Sequence, residues 1–226
     1  MQQFNARRVR KSPMASVSAI LHEVRSVCPR NFYWRTGRNY TWLEAKQNVP
    51  QFFAFLRAIN AGPKRAARMI VLRQTFESLG FSGVTTFLGS GNVVFDTRPK
   101  DVRRLEKMIE SGLKQALGYS VPVFIRTHAE LKAIVTSEHL DKRLILDADV
   151  NVIFLAHNLD QKDRAKLMAL ATETDGFRVH GREVYWWRRK KPGTSLFSTL
   201  PLADVLREPF TIRSANTIRR LVAKWP

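Results

Sequence analysis

Acidic residues are scarce in this chain of 226 residues: 19 Asp and Glu stand against 38 Lys and Arg, a formal net charge of +19. Cysteine is scarcer still. A lone Cys28 excludes an intrachain disulfide and any multi-cysteine metal cluster, and it fits a reducing, cytoplasmic setting. No apolar run reaches the length of a bilayer span, so no membrane partner is expected. Neither a Walker pattern nor GxGxxG is present. The histidines, His22, His128, His139, His157 and His180, form no ligand-like pair, and neither a metal nor a cofactor is expected. Asp147 and Asp149 read as capping or solvated residues rather than a carboxylate dyad. LGSGN is not a GxSxG elbow, so Ser90 is not read as a nucleophile and no catalytic residue is assigned.

What is present is positive charge. Residues 1–49 carry nine basic and two acidic side chains, which leaves 29 against 17, or +12, in residues 50–226. Such a balance attracts polyanions; it also serves solubility alone. The first 49 residues show no sustained periodicity and no signal peptide. An organelle transit peptide and a nucleic-acid arm are open readings. So is a segment not normally made, because Val49 directly precedes the first patterned stretch. We expect a disordered or spurious basic leader over 1–49.

Regular patterning begins at QFFAFLRAIN. Phe53, Phe55 and Arg57 point one way and Phe52, Ala54 and Leu56 the other, which predicts a central strand. The turn AGPKR and a helix with Met69, Leu72, Phe76 and Leu79 on one face follow, ended by Gly80. Strands are expected over 84–89 and 92–97, with Ser90-Gly91 or Gly91-Asn92 supplying the positive φ of a tight hairpin. A helix capped by Asp101 or by the preceding Thr97 region carries a stripe of Val102, Leu105, Met108, Ile109 and Leu113 and closes at Gly118; VPVFIRT is a fourth strand. This β-α-β-β-α-β order is ferredoxin-like.

A second round follows. HAELKAIV predicts a short helix, DVNVIFLAH a strand, Asp160 to Thr172 a helix, and FRVHGREVYWWR a hairpin turning at Gly181-Arg182. The last helix starts at an N-cap Ser214, with Ile218, Leu221, Val222 and Trp225 on one face. The fold class is therefore α+β: two consecutive ferredoxin-like (βαββα) halves, over 50–138 and 139–226.

Leu56-Arg57, Ile59-Asn60, Gly62, Met69, Leu72, Leu79-Gly80-Phe81, Thr86, Ser90-Gly91-Asn92 and Phe95 keep a recurring spacing, as do Thr211, Arg213, Asn216, Thr217 and Leu221. Over about residues 50–225 the chain resembles the bacterial domain of unknown function 1697 family, with its LRGIN loop, SGN hairpin and RNxxT helix. The resemblance implies the α+β fold and brings no reaction. Ala58 and Pro63 stand where the family pattern has glycines, and Ser214 where it often has asparagine.

Two candidate sites emerge. One is a ligand site of Arg57, Asn60, Gly62, Lys64, Ser90, Gly91, Asn92, Arg213, Asn216 and Thr217. It draws on a basic strand-to-helix loop and on Arg213, Asn216, Thr217 and Arg220, read as one polar face at the start of the last helix. Turn chemistry and helix capping account for the same residues without a ligand. The other is a nucleic-acid platform of Trp187, Arg188, Arg189, Lys190 and Lys191, where aromatics interleave with cations; a strand end with a charged loop is its structural alternative. The expected function is non-enzymatic binding of nucleic acid or another phosphate-rich ligand. The alternatives are an enzyme on a small anionic metabolite, acting through the Arg57–Arg65 loop and the Ser90–Asn92 hairpin, and a protein-interaction module. Oligomeric state is not readable.

Overall fold

The computed structural model of the protein describes residues 49–59, 67–89, 91–98, 101–137, 148–189 and 201–226. The expected basic leader lies outside these residues except for Val49. The first half runs β1 (Gln51–Leu56), α1 (Met69–Ser78), β2 (Ser82–Phe87), β3 (Asn92–Asp96), α2 (Val102–Leu117), β4 (Val123–Thr127) and α3 (His128–Thr136). The second runs β5 (Ala148–Leu155), α4 (Gln161–Met168), β6 (Asp175–His180), β7 (Glu183–Arg189), α5 (Leu202–Leu206), β8 (Phe210–Ser214) and α6 (Ala215–Lys224). Each half forms a four-stranded antiparallel sheet, ordered β2-β3-β1-β4 and β6-β7-β5-β8. The chain is α+β, and one strand order serves both halves.

Strand alternation builds the core in three layers. Phe52, Ala54 and Leu56 face Leu72 and Phe76 of α1 and Leu105, Ile109 and Leu113 of α2. Phe53 and Phe55, on the opposite face of β1, enter a middle cluster with Val152 and Phe154 of β5, Leu131 and Ile134 of α3, and Ile218 and Leu221 of α6. Phe55 and Phe154 stack there with centroids 4.3 Å apart and planes 10° apart. Ile153 and Leu155 face the other way, onto Leu167 of α4 and Leu202 and Leu206 of α5. Both central strands are thus buried on both faces, as β1 was read to be.

Local signals place the helix ends. Asp101 caps α2 by accepting from the Arg104 N–H, and Gly118 closes it in the left-handed region. Thr127 and Glu130 form a capping box on α3. Ser214 accepts from Thr217 N–H to cap α6.

Five expectations are corrected. The second half has a fourth strand, β8, where no strand was expected; with α3, the unit that recurs is βαββαβα. Arg213 therefore lies in a strand and not on the polar face of α6. The β2–β3 reversal takes positive φ at Leu88, Gly89 and Gly91, while Asn92 already belongs to β3, so Gly91-Asn92 is not the turn. The strand before it ends at Phe87, and α4 stops at Met168, short of Thr172.

An edge is also managed. β4 is an outer strand, and Glu106 and Glu110, one turn apart on α2, accept from its Ile125 and Val123 N–H groups, each at 2.9 Å. Those donors would otherwise invite another strand. Among the described residues no helix is long and apolar enough to cross a membrane.

Candidate functional site

Three segments remote in sequence meet at Arg213. Its Nε donates to Asn92 Oδ1 at 2.6 Å, Nη1 to Thr211 Oγ1 and the Ile212 carbonyl at 2.8 Å each, and Nη2 to the Leu56 carbonyl at 2.9 Å and the Gly91 carbonyl at 3.4 Å. A guanidinium has five N–H donors, and among the described residues five acceptors receive them here. The cation also lies 5.6 Å from the Phe55 ring centre. Burial lowers its pKa to about 10, so it stays protonated at neutral pH. Asn92 is fixed from its other end by donating to the Phe87 carbonyl at 3.1 Å.

The hairpin and the β1 exit, whose relative placement sequence leaves open, are therefore side by side. Leu56 N–H donates to the Gly91 carbonyl at 2.7 Å. Gly91 has φ +74°, and a Cβ there would lie 3.1 Å from the Leu56 carbonyl oxygen, so this position needs glycine.

The same construction recurs with the halves exchanged. Arg126 of β4 donates from Nη2 to the Leu155 carbonyl at 3.2 Å and the Arg182 carbonyl at 3.1 Å, from Nη1 to Ile125 at 2.8 Å, and from Nε to Glu183 at 2.5 Å. Leu155 N–H in turn donates to the Arg182 carbonyl at 2.9 Å. Arg126 lies 5.2 Å from the Phe154 ring centre, as Arg213 does near Phe55. The two arginines are reciprocal latches: each rides on the last strand of one half and grips the first strand and hairpin of the other. They differ at Nε, which meets a carboxylate in one and the neutral Asn92 in the other, and at Nη1, which in Arg213 also donates to Thr211 Oγ1. Burial pushes the Arg126 pKa down, and the Glu183 charge opposes it.

Of the other predicted ligand residues, Arg57 stacks 4.8 Å above the Phe210 ring, while its backbone N–H donates to the Pro122 carbonyl at 2.9 Å. Asn216 is exposed, and Thr217 is half-buried with its hydroxyl 2.9 Å from Ser214 Oγ. Asn60, Gly62, Lys64 and Ser90 lie outside the described residues.

In the aromatic-basic cluster, Trp187 is half-buried against the middle cluster and covers Gly176, whose missing Cβ would fall 2.3 Å from the indole. Trp186 is buried on the opposite face and donates to Asp175 at 2.8 Å. Arg188 binds both Asp175 oxygens, at 2.8 and 3.0 Å. Burial raises the Asp175 pKa, but hydrogen bonds from Arg188, Trp186 and Thr174 outweigh it and hold the carboxyl below its ordinary value. Arg189 is exposed at the strand end. Lys190 and Lys191 lie outside the described residues.

One basic feature was read as a site only in part, through Arg220. Arg219, Arg220 and Lys224 of α6 have no carboxylate partner among the described residues. Arg220 and Lys224 lie 5.6 and 5.5 Å from the centre of the Phe87 ring, and Lys224 lies 4.8 Å from that of Trp225. The sequence signal was a helix, ANTIRRLVAK, without one acidic residue.

No curated protein matches the sequence. Among solved structures, the conserved bacterial protein SP0830 from Streptococcus pneumoniae is similar, with a TM-score of 0.61 and 19% identity over 78% of this chain and 98% of that one. At that identity the likeness concerns the fold. A family model described as a protein of unknown function, DUF1697, matches residues 49–185, ending before the Thr211–Leu221 motif. With more than half of its length matched, the chain belongs to the DUF1697 family.

Proposed function

We propose that the chain binds nucleic acid or another phosphate-rich ligand without catalysis, through the basic face of α6 and the β2–β3 hairpin beside it. The observation that carries this reading is the set Arg219, Arg220 and Lys224, cations with no carboxylate partner among the described residues, two of which lie on the Phe87 ring. Side chains held on an aromatic ring keep their charge at the surface, where phosphates reach it. The 187–191 cluster contributes through Arg189, because Arg188 is committed to Asp175. The +12 balance of residues 50–226 adds long-range attraction.

The enzyme reading keeps the adjacency of Leu56 and Gly91. It loses Asn92 and Arg213, which are spent on each other.

Fluorescence anisotropy of a labelled single-stranded RNA, titrated with salt, tests the proposal. The parent should bind at low salt. Changing Arg219, Arg220 and Lys224 together to Ala should flatten the log K against log salt slope by about 2, since each phosphate contact on a single strand contributes about 0.7. Absent binding at low salt, or an unchanged slope in the triple variant, would remove the α6 face from the reading.

A further inference from the structure

A groove of about 500 Å³ runs between α2, the start of β4 and the loop after β5. It shares no residue with the α6 face. Its α2 wall carries Arg103 and Lys107, one turn apart, and Lys114 two turns further on; His157 stands on the second-half side. Arg103 and His157 touch across the groove through Nη2 and Nδ1. The same groove carries Glu106, Glu110 and Glu208, which offset much of this charge, so what matters is which groups are free to move. Glu106 and Glu110 turn an oxygen each onto the β4 edge. Glu106 also faces Arg103 at 3.6 Å, and burial raises its pKa against the pull of the Ile125 N–H and Arg103. Glu208 is the remaining carboxylate on the rim.

We infer that this groove is a separate binding site for a small phosphate-bearing metabolite, held by Arg103, Lys107, Lys114 and His157 where the two halves meet. The volume suits a small molecule and not a polymer. Glu106 and Glu110 are held by backbone donors, so the long flexible cations of α2 are the groups able to swing onto an anion. Arg103 supplies the planar fork that suits phosphate, and the two lysines supply point charges. Because the groove draws residues from both halves, an occupant would bridge them.

The test is an NMR titration of the full chain with glycerol 3-phosphate, with glycerol as the uncharged control. The amides of Val123 and Ile125 and the His157 ring should shift and saturate with the phosphate ester and not with glycerol. The double change Lys107→Ala, Lys114→Ala removes exposed side chains, so the fold should stand and the affinity fall about tenfold, or 1.4 kcal/mol. The same variant should bind single-stranded RNA as the parent does, which separates this site from the α6 face. Saturation absent below about 10 mM would overturn the inference. So would saturation unaffected by the double change, or shifts centred on Arg219 to Lys224.

Discussion

Ala58 sits at φ 54°, in the left-handed region, one residue after Arg57 and two after the carbonyl that Arg213 grips. An L side chain costs about 1–2 kcal/mol there, and glycine avoids most of that at some cost in chain entropy. The sequence flagged the position, because Ala58 replaces a glycine of the family pattern; it could not say whether the backbone had changed with it. The positive φ is one that suits glycine. Ala58→Gly should therefore raise the unfolding midpoint in urea by a stabilisation of about 1 kcal/mol. A destabilised variant would mean that the methyl group packs better than the strain costs. Gly91 was legible in the same sense, since a hairpin was required there, whereas Asn92 belongs to the strand. That Asn92 meets Arg213, 121 positions away, was not legible, because nothing local records a long-range partner.

At the scale of elements, α2 shows how a correct pattern hides a role. Its stripe of Val102, Leu105, Met108, Ile109 and Leu113 was read from the 3.6 period and packs as read. Glu106 falls inside that stripe, four residues after Val102 and three before Ile109, and a carboxylate on an apolar face was the available signal. Burial raises its pKa above the ordinary value, so the folded state holds this proton more tightly than the unfolded chain. Its contribution is then fully present below the unfolded pKa and is lost as pH rises through the folded one. Glu106→Gln keeps an oxygen to accept from Ile125 and removes the charge. Relative to the parent, its stability should improve as pH increases from 4 to 8, measured as the urea midpoint at each pH. A constant difference would show that Glu106 ionises as freely in the folded state as in the unfolded one. Glu130 and Asp175 work in the opposite sense. Hydrogen bonds, to Thr127 and Arg182 for one and to Arg188, Trp186 and Thr174 for the other, outweigh burial and lower both pKa values. Their stabilisation is present at neutral pH and is lost in acid. Strand β8 was missed for a related reason. Its five residues run straight into the Ser214 cap, and a short edge strand without clean alternation is indistinguishable from the approach to a helix.

For the molecule as a whole, the two latches make each half a part of the other's core. Arg126 belongs to the first sheet and holds carbonyls of the second; Arg213 does the reverse. Sequence patterning could propose two similar halves, since each carries its own strand and helix periods, but the coupling depends on two arginines that look like surface residues until the sheets meet. Removing one partner of a buried ion pair costs more than the pair contributes, because the remaining charge stays desolvated. Glu183→Gln should therefore destabilise by about 3 kcal/mol, and Arg213→Ala by about 3–5 kcal/mol, since it strands several buried acceptors. The decisive readout is where the loss appears. Native-state hydrogen exchange at the amides of Val93 to Phe95 in the first sheet and Ile153 to Leu155 in the second should show an equal drop in protection for either variant, because opening one latch frees both strands it joins. A drop confined to the second sheet for Glu183→Gln, or to the first for Arg213→Ala, would mean that the halves open independently and that the latches fasten only the hairpin they touch.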